Sequence, residues 1–353
     1  MNFTLVALSI AQFSLTSPFI TIPSISSCQL NNHIFSKLQI SNSLNSFLHM
    51  SAPSFSLKFP KTEISLTASK FQHFLSSAIT INNRAPSTSK SFNRYKPIED
   101  QASLLDDSSE REYIKKKLIA PIISHRDLVL RVRYCFFVDL SESTSGGAIS
   151  MLCEESSLYV TRCCFINCFA QTKGGAISFF GNFIRVNDTV FEYCATPDMA
   201  MVVESYVEGT KEKMIFGGLT ITSCPGPGHL PTPDKSDEIK LFTNEDMYKQ
   251  VQMNNLLELT KGKQILYAIN STDNAVIGTG GFCFVDEITS FSLSSSIIKD
   301  SLAHCIFNLY DMIAGSSTIS YCNVLNNTGF EMTLFDISNS SISISNCCFA
   351  KNN

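Results

Sequence analysis

Tryptophan is absent from the 353 residues and charge is scarce: 16% of the chain is Asp, Glu, Lys or Arg, and Lys37 is the only such residue among the first 57. No window approaches the roughly 20 apolar residues that carry a helix across a bilayer, so no transmembrane segment is expected. Lys plus Arg (27) against Asp plus Glu (31) gives a net charge of −4. No stretch of sequence combines a basic field with interleaved aromatics, which removes nucleic acid as an expected partner. Paired CxxC motifs are missing as well. Cys164 and Cys168 have neither a second pair nor a nearby His, which argues against zinc.

What is present describes a β-rich chain with a large core. Hydrophobic residues make up 44% of the sequence, with 27 Phe, while the abundant Ser and Asn compete with helical hydrogen bonding and favour turns. Thirteen cysteines is an odd number, so at least one thiol cannot pair within a monomer. The start, Met1 to Gln12, holds an apolar run from Phe3 to Ile10 with small residues at Ser9 and Ala11. It reads either as a signal peptide over residues 1–11 or as the opening of a β-rich domain. Sequons at Asn187, Asn270, Asn326 and Asn339 are compatible with a glycosylated surface protein.

Internal repetition is the main signal. The word GGAIS occurs at Gly146–Ser150 and again at Gly174–Ser178, an offset of 28. Cys135-Phe136 aligns with Cys164-Phe165 at 29, and Phe191 follows Phe165 by 26. Thr318–Cys322 matches Ser343–Cys347 at 25, Ser296 and Ile298 precede Cys322 and Val324 by 26, and Leu38–Ser43 matches Ile64–Ser69 at 26. Each unit alternates apolar and polar residues over four to six positions and then passes into Ser, Asn and Gly, which is strand followed by turn. A unit of that length made only of strands and turns is too short for a propeller blade and carries no helix for a leucine-rich or ankyrin repeat.

The expected fold is therefore all-β: a right-handed parallel β-helix (a β-solenoid, pectate-lyase-like) of roughly ten coils of about 25–29 residues, with loop excursions. Stacking predicts ladders of identical residues, with Cys135, Cys164 and Cys194 in one and Cys322 with Cys347 in another, serving mainly as small buried hydrophobes.

The GGAIS words and F-x-x-N-like tetrapeptides such as Phe349-Ala350-Lys351-Asn352 resemble the GGA(I/L/V) and FxxN repeats of polymorphic outer-membrane-type proteins. The Ser/Asn/Cys-rich coils are similar to the β-helix surface families of parasitic protists. The resemblance covers about three quarters of the chain, with Gly280-Gly281-Phe282-Cys283 as a degenerate GGA word. It implies a surface or secreted repeat protein, many of whose relatives continue into a membrane anchor.

The expected organisation is an N-terminal segment over 1–28, N-terminal coils over 29–83, a charged excursion over 84–133, and a main β-helix over 134–353 with a loop at about 225–263. Residues 84–133 carry 18 charges in 50, against 40 in the other 303. Pro225-Gly226-Pro227-Gly228 cannot sustain a sheet ladder, and residues 244–259 read as a short helix.

Chemical motifs are few. His125-Arg126-Asp127-Leu128 spells the kinase catalytic-loop word, but position 132 is Val where that loop needs Asn, and no Gly-rich loop or DFG accompanies it. Gly278-Thr279-Gly280-Gly281 lacks the Lys-Ser/Thr of a phosphate cradle. Asp139, Asp188, Asp300 and Asp336 occur singly, as turn caps do, rather than as the carboxylate clusters of β-helix lyases and hydrolases. No catalytic, cofactor-binding or metal-ligating residue is assigned and no cofactor is expected. The expected function is non-catalytic adhesion or interaction through a solenoid face, with an unidentified protein or glycan partner and an extracellular or cell-surface location. End-to-end self-association follows if the last coil is uncapped. The alternatives are a carbohydrate-active β-helix enzyme and a truncated piece of a larger membrane-anchored surface protein.

Overall fold

A computed structural model of the chain describes residues 3–10, 18, 20–23, 32–43, 46–51, 62–74, 76–82, 128–154, 156–197, 200–207, 213–224, 255–276, 280–312, 317–329 and 332–353. Among them every regular element is a strand, and the strands stack in parallel into three sheets of eleven, eleven and ten. The chain visits the sheets in rotation, so each strand pairs with the strand one circuit earlier and one circuit later. This is a parallel β-solenoid, with about eight turns following the charged excursion.

Three consecutive strands show how one circuit is made. Ser156–Thr161 lies in the first sheet, Cys164–Ala170 in the second and Ile177–Gly181 in the third. The first alternates buried and half-buried residues, because successive side chains of a strand point to opposite faces. Inward positions then stack from circuit to circuit. In the second sheet Phe71, Phe137, Phe165 and Phe191 form one column, with ring centroids 5.4, 4.8 and 5.0 Å apart and ring planes within 14° of parallel. Spacing that close to the inter-strand distance lets each ring offset-stack on the next while all four stay buried.

The corners follow a rule as regular as the strands. Between first- and second-sheet strands one residue takes a left-handed conformation, as at Tyr134 (φ 55°), Arg162 (53°) and Asp188 (49°). The next residue points inward: Cys135, Cys163 and Thr189. A second corner within or after the second-sheet strand repeats the pattern, with Asn167, Tyr193, Ser223, Asp273, Asp300, Asn326 and Lys351 at positive φ. Cys168, Cys194, Cys224, Asn274, Ser301, Asn327 and Asn352 follow them. The left-handed residue donates its N–H to the next circuit, as Arg162 does to the Asn187 carbonyl at 3.0 Å, and the residue after the inward one donates to the circuit before, as Val190 does to Cys163 at 3.0 Å.

The glycine words have the same kind of cause. Gly146 and Gly174 adopt φ of 73° and 59°. Gly147 and Gly175 sit so close to the next circuit that a Cβ would collide with the carbonyl oxygens of Gly175 and Met201 respectively. Sheet register places Gly281 at the equivalent position, where a Cβ would strike the Cys305 carbonyl. The degenerate word Gly280–Cys283 thus keeps the glycine of that close approach with different side chains after it.

Several expectations need correction. Phe136 is not the repeating phenylalanine: it pairs with Cys164 and is 48% exposed, whereas Phe137 pairs with Phe165 and is fully buried. The offset is a uniform 28, as for GGAIS, and the expected 29 came from a one-residue slip that exchanges the two faces of the strand. The cysteine ladder moves with it. Cys135 stacks on Cys163, Cys168 precedes Cys194 and Cys224 in a second column, and Cys164 is half-buried on the outward side. Cys322 with Cys347 stands as expected. In the N-terminal circuits Ile40 pairs with Phe71, and Ile64 with His33, offsets of 31. The apparent 26-residue match had aligned strands of two different sheets.

Element limits differ too. Residues 1–28 include the strands Phe3–Val6, Ser9–Ile10 and Ile20–Pro23, the first pairing in register with residues 33–36. The solenoid resumes at Leu128, with Leu128–Arg133 continuing the first sheet. Leu257–Thr260 is a strand rather than part of a helix, because it stacks on Val203–Tyr206. The rest of the expected helix, the Pro/Gly segment at 225–228 and the His125-Arg126-Asp127 word lie outside the described residues.

The corrected register is testable. Phe137→Ala should lower stability by about 3–5 kcal/mol, the cost of emptying a buried aromatic site, while Phe136→Ala should change it by less than about 1 kcal/mol. Urea unfolding of the two variants distinguishes them, and equal losses would contradict the register.

Candidate functional surface

The outward face of the third sheet gathers polar groups that are remote in sequence. Sheet register puts Ser178, Glu204, Glu258, Phe284, Asn308 and Asp336 in one outward column, and Phe180, Tyr206, Thr260, Asp286 and Tyr310 in the column beside it. Glu204 and Glu258 therefore occupy adjacent rungs, about 4.8 Å apart along the stack.

These groups are tied to one another. Glu204 accepts hydrogen bonds from Lys173 Nζ (3.0 Å) and Ser178 Oγ (2.8 Å). Phe180 stacks on Tyr206 at 5.1 Å, and Lys261 Nζ lies 5.0 Å over the Tyr206 ring and 3.6 Å from Glu287. The Tyr206 hydroxyl, with Glu287 behind it, holds the Lys261 ammonium above its ordinary pKa. Tyr310 donates to Asp336, and its ring packs against Phe284 at 5.6 Å. At the centre Glu258, Phe284, Asp286 and Asn308 are buried, while Asp336 is exposed.

Of the four aspartates singled out in the sequence, three are corner residues. Asp139, Asp188 and Asp300 have φ of 53°, 49° and 53°, in the left-handed region that Asp and Asn tolerate. Asp139 accepts from Asn167 Nδ2 at 2.8 Å and Asp300 from Asn326 Nδ2 at 2.7 Å, linking each circuit to the next, and Asp188 faces Arg162 Nε at 3.8 Å. Asn326 and Lys299 hold the Asp300 carboxyl below its ordinary pKa. Asp336 alone is not at a left-handed corner; it lies on the strand Thr333–Ser338, facing outward. The structure does not bring these four together.

Sequence reading passed over Glu204 and Glu258. A signal existed: Val202-Val203-Glu204 and Leu256-Leu257-Glu258 share an apolar-apolar-Glu pattern that aligns with Ala176-Ile177-Ser178 of the second GGAIS word. The long segment between residues 224 and 255 conceals the spacing. Among the described residues no group of three or more His, Cys, Asp or Glu side chains could hold a metal ion, and no helix is long and apolar enough to cross a membrane.

The twelve described cysteines are free thiols, and seven of them, Cys135, Cys163, Cys168, Cys194, Cys224, Cys322 and Cys347, line the corner columns. The thiols of Cys163, Cys168 and Cys194 lie against the carbonyls of Val132, Phe137 and Phe165, each in the preceding circuit, at 3.6, 3.7 and 3.7 Å. Burial pushes Cys163, Cys168, Cys224 and Cys283 up, and pushes Cys322 up to about 11.

The fold defines a class, the parallel β-solenoids with three sheets. No protein-family model matches the chain, and no curated protein or solved structure matches it.

The thiol environment gives a pH prediction. A pKa raised on folding contributes stability that is complete below the ordinary thiol value of 9.0 and is lost as pH rises through the folded value, about 11 for Cys322. The melting temperature should therefore fall as pH rises from 9 towards 11, with a shallower fall for Cys322→Ser. An identical profile in the variant would show that this thiol does not contribute.

Proposed function

We infer that the protein is a non-catalytic β-solenoid whose flat outward faces serve adhesion or binding, at a cell surface or in the extracellular space. The observation that carries this reading is the role of the acidic residues. Asp139, Asp188 and Asp300 hold corners, and Glu204 is bonded to Lys173 and Ser178, whereas general acid–base work needs carboxylates held ready against a substrate. What the fold offers instead is breadth, with outward columns that repeat in register over sheets ten and eleven strands deep. The likeness to GGA(I/L/V) and FxxN surface repeats supports the same reading. The structure gives those words a reason, since FxxN spells an inward aromatic, one strand residue, a left-handed corner and an inward amide.

A carbohydrate-active enzyme is the second reading, favoured by Glu204 and Glu258 on neighbouring rungs beside aromatic rings. Incubation with a panel of glycans, with and without calcium, separates the two. No release of reducing ends or unsaturated products is expected. Turnover that disappears in Glu204→Gln or Glu258→Gln would overturn the non-catalytic reading.

A further inference from the structure

The outward face of the first sheet carries the opposite charge to the rest of the chain. Three neighbouring columns run along it. The central one reads Arg131, Tyr159, Arg185, Ile215 and Ile265. On one side lie Val129, Ser157, Phe183, Lys213 and Lys263, and on the other Arg133, Thr161, Asn187, Gly217 and Tyr267. Arg162 stands at the adjoining corner. From the Glu63 rung to the Lys263 rung this face and corner hold, among the described residues, six cations, Arg131, Arg133, Arg162, Arg185, Lys213 and Lys263. They hold two acids, Glu63 and Asp188, within a protein whose net charge is −4.

Both acids are already engaged, Glu63 with Arg131 Nε at 2.6 Å and Asp188 with Arg162 at 3.8 Å. Arg133, Arg185, Lys213 and Lys263 are exposed, and none forms an ion pair among the described residues. A flat sheet with four exposed cations that form no ion pair among the described residues, all within five rungs, produces a positive field that attracts an anionic partner.

We propose that this face binds a linear polyanionic polysaccharide lying along the solenoid axis. The proposal rests on the non-catalytic reading above for its biological role, but not for the binding itself. Two features favour a glycan over a nucleic acid. The Tyr159 ring is covered, with the Arg131 guanidinium 4.4 Å above it and Phe183 at 5.2 Å, and Tyr267 lies across Gly217. The aromatics on the sheet itself thus fix the cations and the surface, and do not stand out as platforms for bases. The cations are also spaced in whole rungs, one between Lys213 and Lys263 and two between Arg131 and Arg185, in steps of about 4.8 Å along a straight line. An extended sugar chain advances by a similar step per residue, so its carboxylates or sulfates meet successive cations. Arginine suits such groups because its fork of N–H donors matches their oxygens in pairs.

The test measures binding of the full chain to immobilised heparin, polygalacturonate, dextran and oligo(dT), at about 50 and about 200 mM salt. The wild type should bind one or both polyanionic glycans and not dextran, more weakly at the higher salt. Heparin against polygalacturonate separates sulfate from carboxylate recognition. Arg185→Glu/Lys213→Glu/Lys263→Glu, which alters exposed side chains only, should weaken binding by about 100-fold. Lys299→Glu on the second sheet should not, and both variants should keep the wild-type circular-dichroism spectrum. Binding unaffected by the triple substitution, no binding to either polyanion, or tighter binding to oligo(dT) than to both glycans would overturn the proposal. Reducing ends measured in the same samples report separately on the non-catalytic reading, since glycan breakdown with binding intact would sink that reading and leave this face standing.

Discussion

The structure depends on what happens to one backbone N–H at each corner. After the left-handed residue the chain turns inward, and the inward residue's amide leaves the sheet ladder while becoming buried. A buried amide without an acceptor costs about 1–3 kcal/mol, and the cost recurs on every circuit. In the later circuits the acceptor is the side chain of the equivalent residue one circuit on. Cys194 N donates to Cys224 Sγ, Cys224 N to Asn274 Oδ1, Asn274 N to Ser301 Oγ, Ser301 N to Asn327 Oδ1, and Asn327 N to Asn352 Oδ1, at 3.0 to 3.4 Å. The amides of Asn274, Asn327 and Asn352 also donate back to the Ile221, Ile298 and Val324 carbonyls. One column of polar side chains thus satisfies both ends of the corner, and the first corner repeats the device where Leu38, Ile269 and Cys322 donate to Ser69, Ser296 and Cys347.

This requirement accounts for a composition rich in Ser, Asn and Cys without invoking chemistry. Each is small enough to turn into a narrow interior and carries an acceptor, though sulfur is the weakest of the three. It also explains why, among the second-sheet corners, FxxN is spelled strictly only at Phe349–Asn352. Cys168 and Cys194 occupy the amide position after Phe165 and Phe191, and their thiols lie against the same kind of carbonyl.

The architecture was legible because stacking forces equivalent residues to repeat. GGAIS marks a turn where Gly147 and Gly175 have no room for a side chain, and Thr318–Cys322 with Ser343–Cys347 marks circuits without insertions. The frame was not legible where two residues compete for one position. Phe136 and Phe137 are adjacent and chemically identical, and only the facing strand decides which is inside. Nor could composition separate Leu38–Ser43 from Ile64–Ser69, because short Ser/Ile strands of different sheets look alike. Faces were the least visible of all. Arg131, Arg185 and Lys263 form a surface only once register is known, and Glu204 meets Glu258 only after the intervening segment is set aside. A search for local basic or acidic runs passes over residues that neighbour each other once per circuit.

Amide hydrogen exchange distinguishes corner N–H groups held by side-chain columns from ones left to solvent. If side-chain columns satisfy the corner amides, the N–H groups of Cys224, Ser301 and Asn327 should exchange as slowly as those of the adjacent strand residues Ile221, Ile298 and Val324, and Asn327→Ala should release Ser301 selectively. Corner amides exchanging at the rate of exposed loops in the wild type, while the strands stay protected, would contradict the account.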